Sequence, residues 1–244
     1  MRAWRGGGAV SAPALDRAQL ARELDAGLAQ LGLPLPAAAR AALLDYLQLL
    51  VKWNRVYNLT AVRDPLRMVH LHLFDCLATV PLLPRSLRAG RVLDVGSGGG
   101  LPGVVWALCR DDLQVSCVDA VQKKAAFVQQ VAGSLRLRNL HAVHARVEDL
   151  AGTWNLVGSR AFASLADFVG LTRHLLAPDG SWLAMKGKRP DAEIEALPAD
   201  VAVFHVEHLT VPGLDAERCL VWMRSQPPSA DGAAPGVVAG PGSG

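Results

Sequence analysis

Twelve residues constrain this chain more than any other stretch: Val92–Val95 is an apolar run, and Gly96-Ser97-Gly98-Gly99-Gly100-Leu101-Pro102-Gly103 follows it with five glycines in eight positions. Glycine is needed where a backbone must take positive φ or let a ligand come close. Pro102 suits the first turn of a helix. Strand, glycine turn and helix in that order open a parallel α/β sheet. The carboxyl end of the first strand is where such sheets bind nucleotides.

The rest of the chain agrees with that opening. From Arg91 onward, apolar runs at Val92–Val95, Val104–Leu108, Val115–Val118, Ala142–Val143, Leu156–Val157 and Trp182–Met185 alternate with helical segments near Gln122–Leu135 and Leu165–Leu176. Alternation of this kind predicts a mostly parallel, doubly wound sheet covered on both faces. The last two runs, Val201–Val206 and Cys219–Met223, have no long helix between them and predict an antiparallel hairpin at the edge. Before Arg91 the period is helical. Leu20, Leu24, Leu28 and Leu31 share one face, and a second helix is expected over Ala37–Trp53. Asp64-Pro65 starts a third helix running to about Val80. We therefore expect a disordered N-terminus over 1–13, a helical extension over 14–90, an α/β domain over 91–225 and a disordered tail over 226–244. That tail holds five Gly and four Pro with a single charge, Asp231.

Composition excludes other classes. With 51% hydrophobic residues the chain can fill a core. The longest charge-free stretch, Val95–Cys109, has 15 residues, five of them glycine, whereas a membrane helix needs roughly 20 mostly apolar ones. The first residues show no apolar segment of a secretory signal. Cys76, Cys109, Cys117 and Cys219 lie far apart with no zinc-type spacing, so no metal is expected and a reduced, cytoplasmic protein is. Net charge is only +3, yet residues 1–146 carry 18 basic and 10 acidic groups while 147–244 carry 7 and 12. Two windows, Lys52–Arg91 and Val121–Arg146, are sharply basic and are expected to flank the carboxyl-end cleft. Such asymmetry suits a polyanionic partner, although a solvated charge run also produces it.

Which nucleotide the loop takes is narrowed by its neighbours. No Gly-x-x-x-x-Gly-Lys-Ser/Thr is present, so a phosphate-cradling loop is excluded. Gly98, Gly100 and Gly103 match a dinucleotide fingerprint but begin four residues after Asp94. Gly96, Gly98 and Gly100, preceded by Asp94, resemble instead the S-adenosylmethionine loop of class I methyltransferases. Asp119, at the end of the second strand, can accept bonds from both ribose hydroxyls and disfavours a ribose phosphate. Glu148-Asp149 follows the third strand, where such enzymes read the adenine.

A narrower resemblance covers nearly all of Leu43–Arg224. Trp53-Asn54-Arg55-Val56-Tyr57-Asn58-Leu59-Thr60, Val62-Arg63-Asp64-Pro65, Asp94–Gly103 and Ser159-Arg160-Ala161-Phe162-Ala163 together resemble ribosomal RNA small subunit methyltransferase G, also called glucose-inhibited division protein B. The resemblance implies a class I fold. It also implies methyl transfer from S-adenosylmethionine to guanine N7 in small-subunit ribosomal RNA, free or in a 30S particle, by a monomer. Carried over by position, the cofactor contacts are Gly96, Leu101, Val147, Glu148 and Arg160, with Gly98 in the loop and Asp119 on the ribose. Cys76 departs from the family, which usually has serine there. The chemistry is consistent with an N7 target. Guanine N7 has an exposed lone pair and no proton, so orientation suffices and no general base is required.

Several residues keep two readings. Arg160 contacts the methionine carboxylate or the guanosine, or is a surface arginine. His72 and Asp75 touch RNA or form a local ion pair. Trp53 and Tyr57 pack the second helix onto the sheet or stack a base. Lys186 and Lys188 clamp phosphate or sit in an ordinary loop, and Lys123 and Lys124 are expected on backbone phosphates. A small-molecule methyltransferase is disfavoured by the extended basic half. A non-enzymatic binding module is disfavoured by the intact set Gly96, Asp119, Glu148 and Arg160.

Overall fold

The leucine stripe near the start does form a helix. In the computed structural model, which describes residues 16–226 apart from Arg88, Ala161 and Ala163, α1 (Arg17–Gln30) is capped by the Asp16 carboxylate. Helix α2 (Ala37–Tyr57) buries Leu43, Leu44, Leu47, Leu50 and Val51 and stops at Asn58 in the left-handed conformation, one turn beyond the expected end. Asp64 caps α3 (Pro65–Met68) by accepting from the Arg67 N–H. The expected third helix then changes character. Val69–Phe74 forms a π-helical turn before α4 (Asp75–Leu77) resumes. Such insertions recur at functional sites.

Seven strands follow: β1 (Arg91–Val95), β2 (Gln114–Asp119), β3 (Leu140–His144), β4 (Trp154–Arg160), β5 (Leu176–Lys186), β6 (Val201–His208) and β7 (Cys219–Ser225). They form one sheet in the order β3-β2-β1-β4-β5-β7-β6. Strands β1 to β5 are parallel, and β7 runs antiparallel to both β5 and β6. The expected doubly wound sheet with an antiparallel edge hairpin is therefore what forms. The helices between strands are α5 (Gly103–Cys109), α6 (Gln122–Ser134), α7 (Leu165–Thr172) and α8 (Asp191–Glu195).

Alternate residues of each strand face opposite cores. Val92, Cys117, Leu156 and Leu220 share one core with α5, α6 and the N-terminal helices. Leu93, Val118, Val157 and Val221 share the other with α7. The N-terminal helices thus pack in the same core as one sheet face. Two buried indoles find a partner for their N–H, Trp106 donating to Thr79 Oγ1 at 2.8 Å and Trp182 to Thr172 Oγ1 at 2.9 Å, whereas the Trp154 N–H is buried without one. The expected disordered N-terminus, 1–13, lies outside the described residues, as does the tail from 227. Gln226 does not belong with that tail. Its N–H donates to the Asp200 carbonyl at 2.9 Å and extends the β6–β7 pairing at the open end of the hairpin.

Candidate active site

The glycine loop leaves β1 and turns beneath β2, with the Gly96 and Ser97 N–H groups donating to the Val118 carbonyl. Gly96 (φ 66°) and Gly98 (φ 58°) both sit in the left-handed region. A Cβ at Gly96 would meet nothing within 4 Å, and one at Gly98 only the Gly96 carbonyl. The loop therefore presents bare backbone to open space. Gly103 serves packing instead: its Cβ would fall 2.4 Å from Cys117 Sγ and 2.9 Å from Asp94 Oδ2. Asp94 fixes the end of the loop by accepting the Gly103 N–H at 2.8 Å. Its other oxygen is buried without a hydrogen-bond partner, and burial pushes its carboxyl up to about 7. From the helical side, Tyr46 donates its hydroxyl to the Gly99 carbonyl at 2.6 Å.

Asp119 closes the loop on the β2 side. Its carboxylate accepts the Gly98 N–H at 3.0 Å and the Val121 N–H at 2.9 Å, and Lys124 Nζ lies 3.6 Å away. Val147 and Glu148 lie in a 3-10 turn after β3, so they share the carboxyl edge with Asp119. Glu148 is held below the usual carboxylate range, first by a backbone hydrogen bond and then by Arg146, whose Nη2 lies 2.8 Å away.

A cavity of about 580 Å³ opens at this edge, lined by Gly96, Ser97, Gly98, Leu101, Thr60, His72, Asp75, Arg160, Lys186 and Arg218 among others. Of the residues singled out from sequence, Gly96, Gly98, Leu101, Arg160 and Lys186 come together there. Asp119, Val147, Glu148, Lys123, Lys124 and Lys188 lie outside its lining.

The helical extension builds the far part of the cavity. Asn54 on α2 is buried and organises the following loop, donating to the Val62 carbonyl and accepting the Thr60 N–H. Thr60 Oγ1 and His72 Nε2 are 2.7 Å apart, and His72 Nδ1 lies 2.9 Å from the Leu71 carbonyl. A carbonyl only accepts, so Nδ1 carries the proton and Nε2 accepts from Thr60. Burial, then Arg160, lower the His72 pKa to about 4, which keeps the ring neutral. No hydrogen bond joins His72 to Asp75, so the local pair considered for them is absent. The π turn ends between the two and breaks the i, i+3 spacing of an α-helix. Asp75 instead faces two arginines, Arg160 Nη1 at 3.3 Å from Oδ2 and Arg218 Nε at 2.9 Å from Oδ1. Arg160 also donates to the Leu71 carbonyl within the π turn, at 3.3 Å. Arg160 is therefore built into the cavity wall and is not a surface residue.

Other expectations change. Lys186 is not free to clamp phosphate, because both oxygens of Glu193 hold its ammonium, at 2.7 and 3.0 Å. Lys124 is drawn to Asp119, while Lys123 and Lys188 are exposed. Trp53 packs on Phe127 of α6, with ring centroids 5.4 Å apart, so α2 rests on a helix and not directly on the sheet. Tyr57 stacks on Trp53 and stays 40% exposed. The basic windows do not form one face around the cleft. Arg136 and Arg138 precede β3 and Arg91 begins β1, so all three lie at the amino ends of the strands. Thr60 and Arg218 are the site residues that sequence reasoning missed. For Arg218 a signal existed: an antiparallel last strand must start where β5 ends, and Cys219 indeed pairs with Lys186.

The cavity thus joins a bare-backbone cradle to two guanidinium groups, with every titratable side chain named on its wall already engaged. Comparison with known proteins agrees with that picture. The family model for rRNA small subunit methyltransferase G (GidB) matches residues 39–221. A ribosomal RNA small subunit methyltransferase G from Acidovorax ebreus is 60% identical over 215 residues, covering 84% of this chain and 95% of the relative. One from Leptothrix cholodnii is 60% identical over 202 residues, covering 82% and 93%. Among solved structures, a SAM-dependent methyltransferase from Aquifex aeolicus superposes with TM-score 0.51 at 14% identity, covering 71% of this chain and 97% of that one. That likeness concerns the fold, which is the class I methyltransferase fold.

Proposed function

From the premise that the chain belongs to the rRNA small subunit methyltransferase G family, we propose that it methylates N7 of one guanine in small-subunit (16S) ribosomal RNA with S-adenosylmethionine. The donor set suits that cofactor. Gly96 and Gly98 leave a cradle that any Cβ would begin to fill, and Leu101 closes it with an apolar side chain. Asp119 already accepts two N–H groups, and a carboxylate has about four lone-pair sites, so two remain for ribose hydroxyls. Val147 and Glu148 sit where the adenine would lie, and Arg160 carries the charge that suits the methionine carboxylate. When bound, the cofactor supplies an electrophilic methyl group on a sulfonium.

One observation carries the choice of N7. Among the described residues lining the cavity, none is placed to remove a proton. His72 is neutral but its Nε2 accepts from Thr60, and Asp75 is held by two arginines. No cysteine lines the cavity. Burial raises the thiols of Cys76, Cys109, Cys117 and Cys219 above their ordinary value, which disfavours the thiolate that pyrimidine carbon chemistry needs. A lone pair that bears no proton reacts in such a site by orientation alone. The protein acts as a cytoplasmic monomer on ribosomal RNA, free or in a 30S particle, with residues 91–225 as the methyltransferase domain and 14–90 as its extension. Lys123 and Lys188 meet RNA phosphates, and Lys124 and Lys186 act through Asp119 and Glu193. No helix among the described residues is long and apolar enough to cross a membrane.

The test is mass mapping of 16S ribosomal RNA from cells with and without the gene, together with incubation of the purified protein, S-adenosylmethionine and unmodified RNA. One 7-methylguanosine that depends on the gene is expected. Methylation at another atom, or none, would refute the assignment.

A further inference from the structure

Asp75 is 5% exposed and is the meeting point of three chain segments. It starts α4 directly after the π turn, Arg160 ends β4, and Arg218 precedes β7. Its two oxygens are divided between the two guanidinium groups, Oδ2 to Arg160 and Oδ1 to Arg218. Each arginine is also tied by a carbonyl, Arg160 by Leu71 and Arg218 by Glu217. Among the described residues, Arg160 uses only Nη1, and Arg218 uses Nε and Nη1. Both keep an Nη2 with two N–H donors, and both line the cavity.

One carboxylate between two guanidiniums leaves a net charge of +1 there. A buried charge without donors around it is costly, and a charge with donors pre-aimed at a ligand costs no reorganisation on binding. We propose that Asp75 is a positioning residue: it holds Arg160 and Arg218 so that their unused N–H groups together take one oxyanion. The proposal rests on the methyltransferase reading given above. The oxyanion is the carboxylate of S-adenosylmethionine or a phosphodiester beside the target base, and the two sources are separable by experiment.

Asp75→Asn separates positioning from simple charge. If Asp75 only adds negative potential, removing its charge makes the cavity more positive, and anions bind more tightly. If it orients the arginines, binding weakens, because a neutral amide accepts at one oxygen only. The experiment titrates S-adenosylmethionine into the full-length variant by calorimetry and measures KM for 16S ribosomal RNA in methyl transfer. We expect a loss of about tenfold or more in one arm, and the arm that weakens names the anion. Asp75→Glu should recover part of that same loss. Unchanged or tighter binding in both arms, in a protein with the wild-type melting point, overturns the proposal. Should Asp75→Asn not fold, Arg218→Lys keeps the charge but loses the fork. It should weaken one arm by about threefold or more, and unchanged binding again overturns the proposal. A wild-type protein that binds the cofactor but leaves RNA unmethylated would refute the functional reading instead, and the cofactor arm would still judge Asp75.

Discussion

The two ends of the site are held in opposite ways. At the end proposed for the ribose, most partners are neighbours in sequence, Asp119 with Val121 and Lys124 and Glu148 with Arg146, and only the Gly98 N–H reaches Asp119 from 21 residues away. At the other end, Asp75 meets Arg160 and Arg218 across sequence separations of 85 and 143 residues. Exposure divides the carboxylates differently, with the Glu148 side chain 37% exposed and those of Asp119 and Asp75 only 6% and 7%. An exposed carboxylate that loses a partner finds water. A buried one is left as an uncompensated charge. Glu148 is therefore an adjustable rim residue, Asp119 is a buried carboxylate held mostly by its own loop, and the Asp75 end is a clamp that only the complete fold assembles.

The largest effect should come from breaking the clamp. Arg160→Ala should cost up to about 3 kcal/mol of stability, since Asp75 keeps Arg218 as its one remaining partner, and should slow methyl transfer by about a hundredfold or more, with RNA affinity falling only if the clamped oxyanion is a phosphodiester. Urea unfolding, single-turnover rates and filter binding check the three parts. A stable, full-rate variant would show that the clamp is not needed.

Next in size is the pH dependence beneath the glycine loop. The Asp94 carboxyl, at about 7, is raised above its unfolded value of 3.8. It therefore contributes stability that is fully present below about pH 4 and is lost as pH rises through about 7, amounting to about 2–4 kcal/mol. His72 acts in the opposite sense. Depressed from 6.5 to about 4, it contributes stability present above its unfolded value and lost as pH falls toward 4. Asp94→Asn should flatten the falling limb and leave the His72 limb in place, as read from unfolding free energies at stepped pH.

The end proposed for the ribose should yield smaller changes. Asp119→Ala should weaken S-adenosylmethionine binding by about 1–3 kcal/mol, through lost bonds to the ribose and a loosened Gly98. Glu148→Ala should cost less than Asp119→Ala, as expected for an exposed group. Calorimetry of the two variants decides whether that end is graded in this way. Smallest of all, Lys123→Ala should reduce the salt slope of RNA binding by about one unit. Arg136→Ala, at the amino ends of the strands, should leave that slope unchanged between 50 and 200 mM salt, a range over which phosphate contacts respond strongly.

The same contrast explains what the chain revealed before its structure was known. Gly96 and Gly98 are legible because their geometry is coded within one strand–turn–helix unit, and Asp119 because it ends the next strand of the same alternation. The sheet and its edge hairpin were legible from alternation and from the missing helix before Cys219. The π turn was not, since Val69–Phe74 carries an apolar pattern that suits an ordinary helix. Its altered register coincides with the Leu71 carbonyl turned toward Arg160, a tertiary contact. The partner of Lys186 is hidden from the sequence for a related reason. Nothing in Lys186-Gly187-Lys188-Arg189 announces that Glu193 folds back, bonding both that ammonium and the N–H of Leu165 at the start of α7. Charge along the chain likewise misplaced Arg136 and Arg138, because a linear window spans both ends of a strand.

In the reaction proposed for this cavity, a methyl group moves to a lone pair without the movement of a proton. Single-turnover methyl transfer to 16S ribosomal RNA, measured at saturating cofactor in light and heavy water, tests it directly. A proton transferred by a general base in the transition state would slow the reaction in heavy water. Equal rates in the two solvents are expected, and a clear slowing in heavy water would refute a transfer that moves no proton.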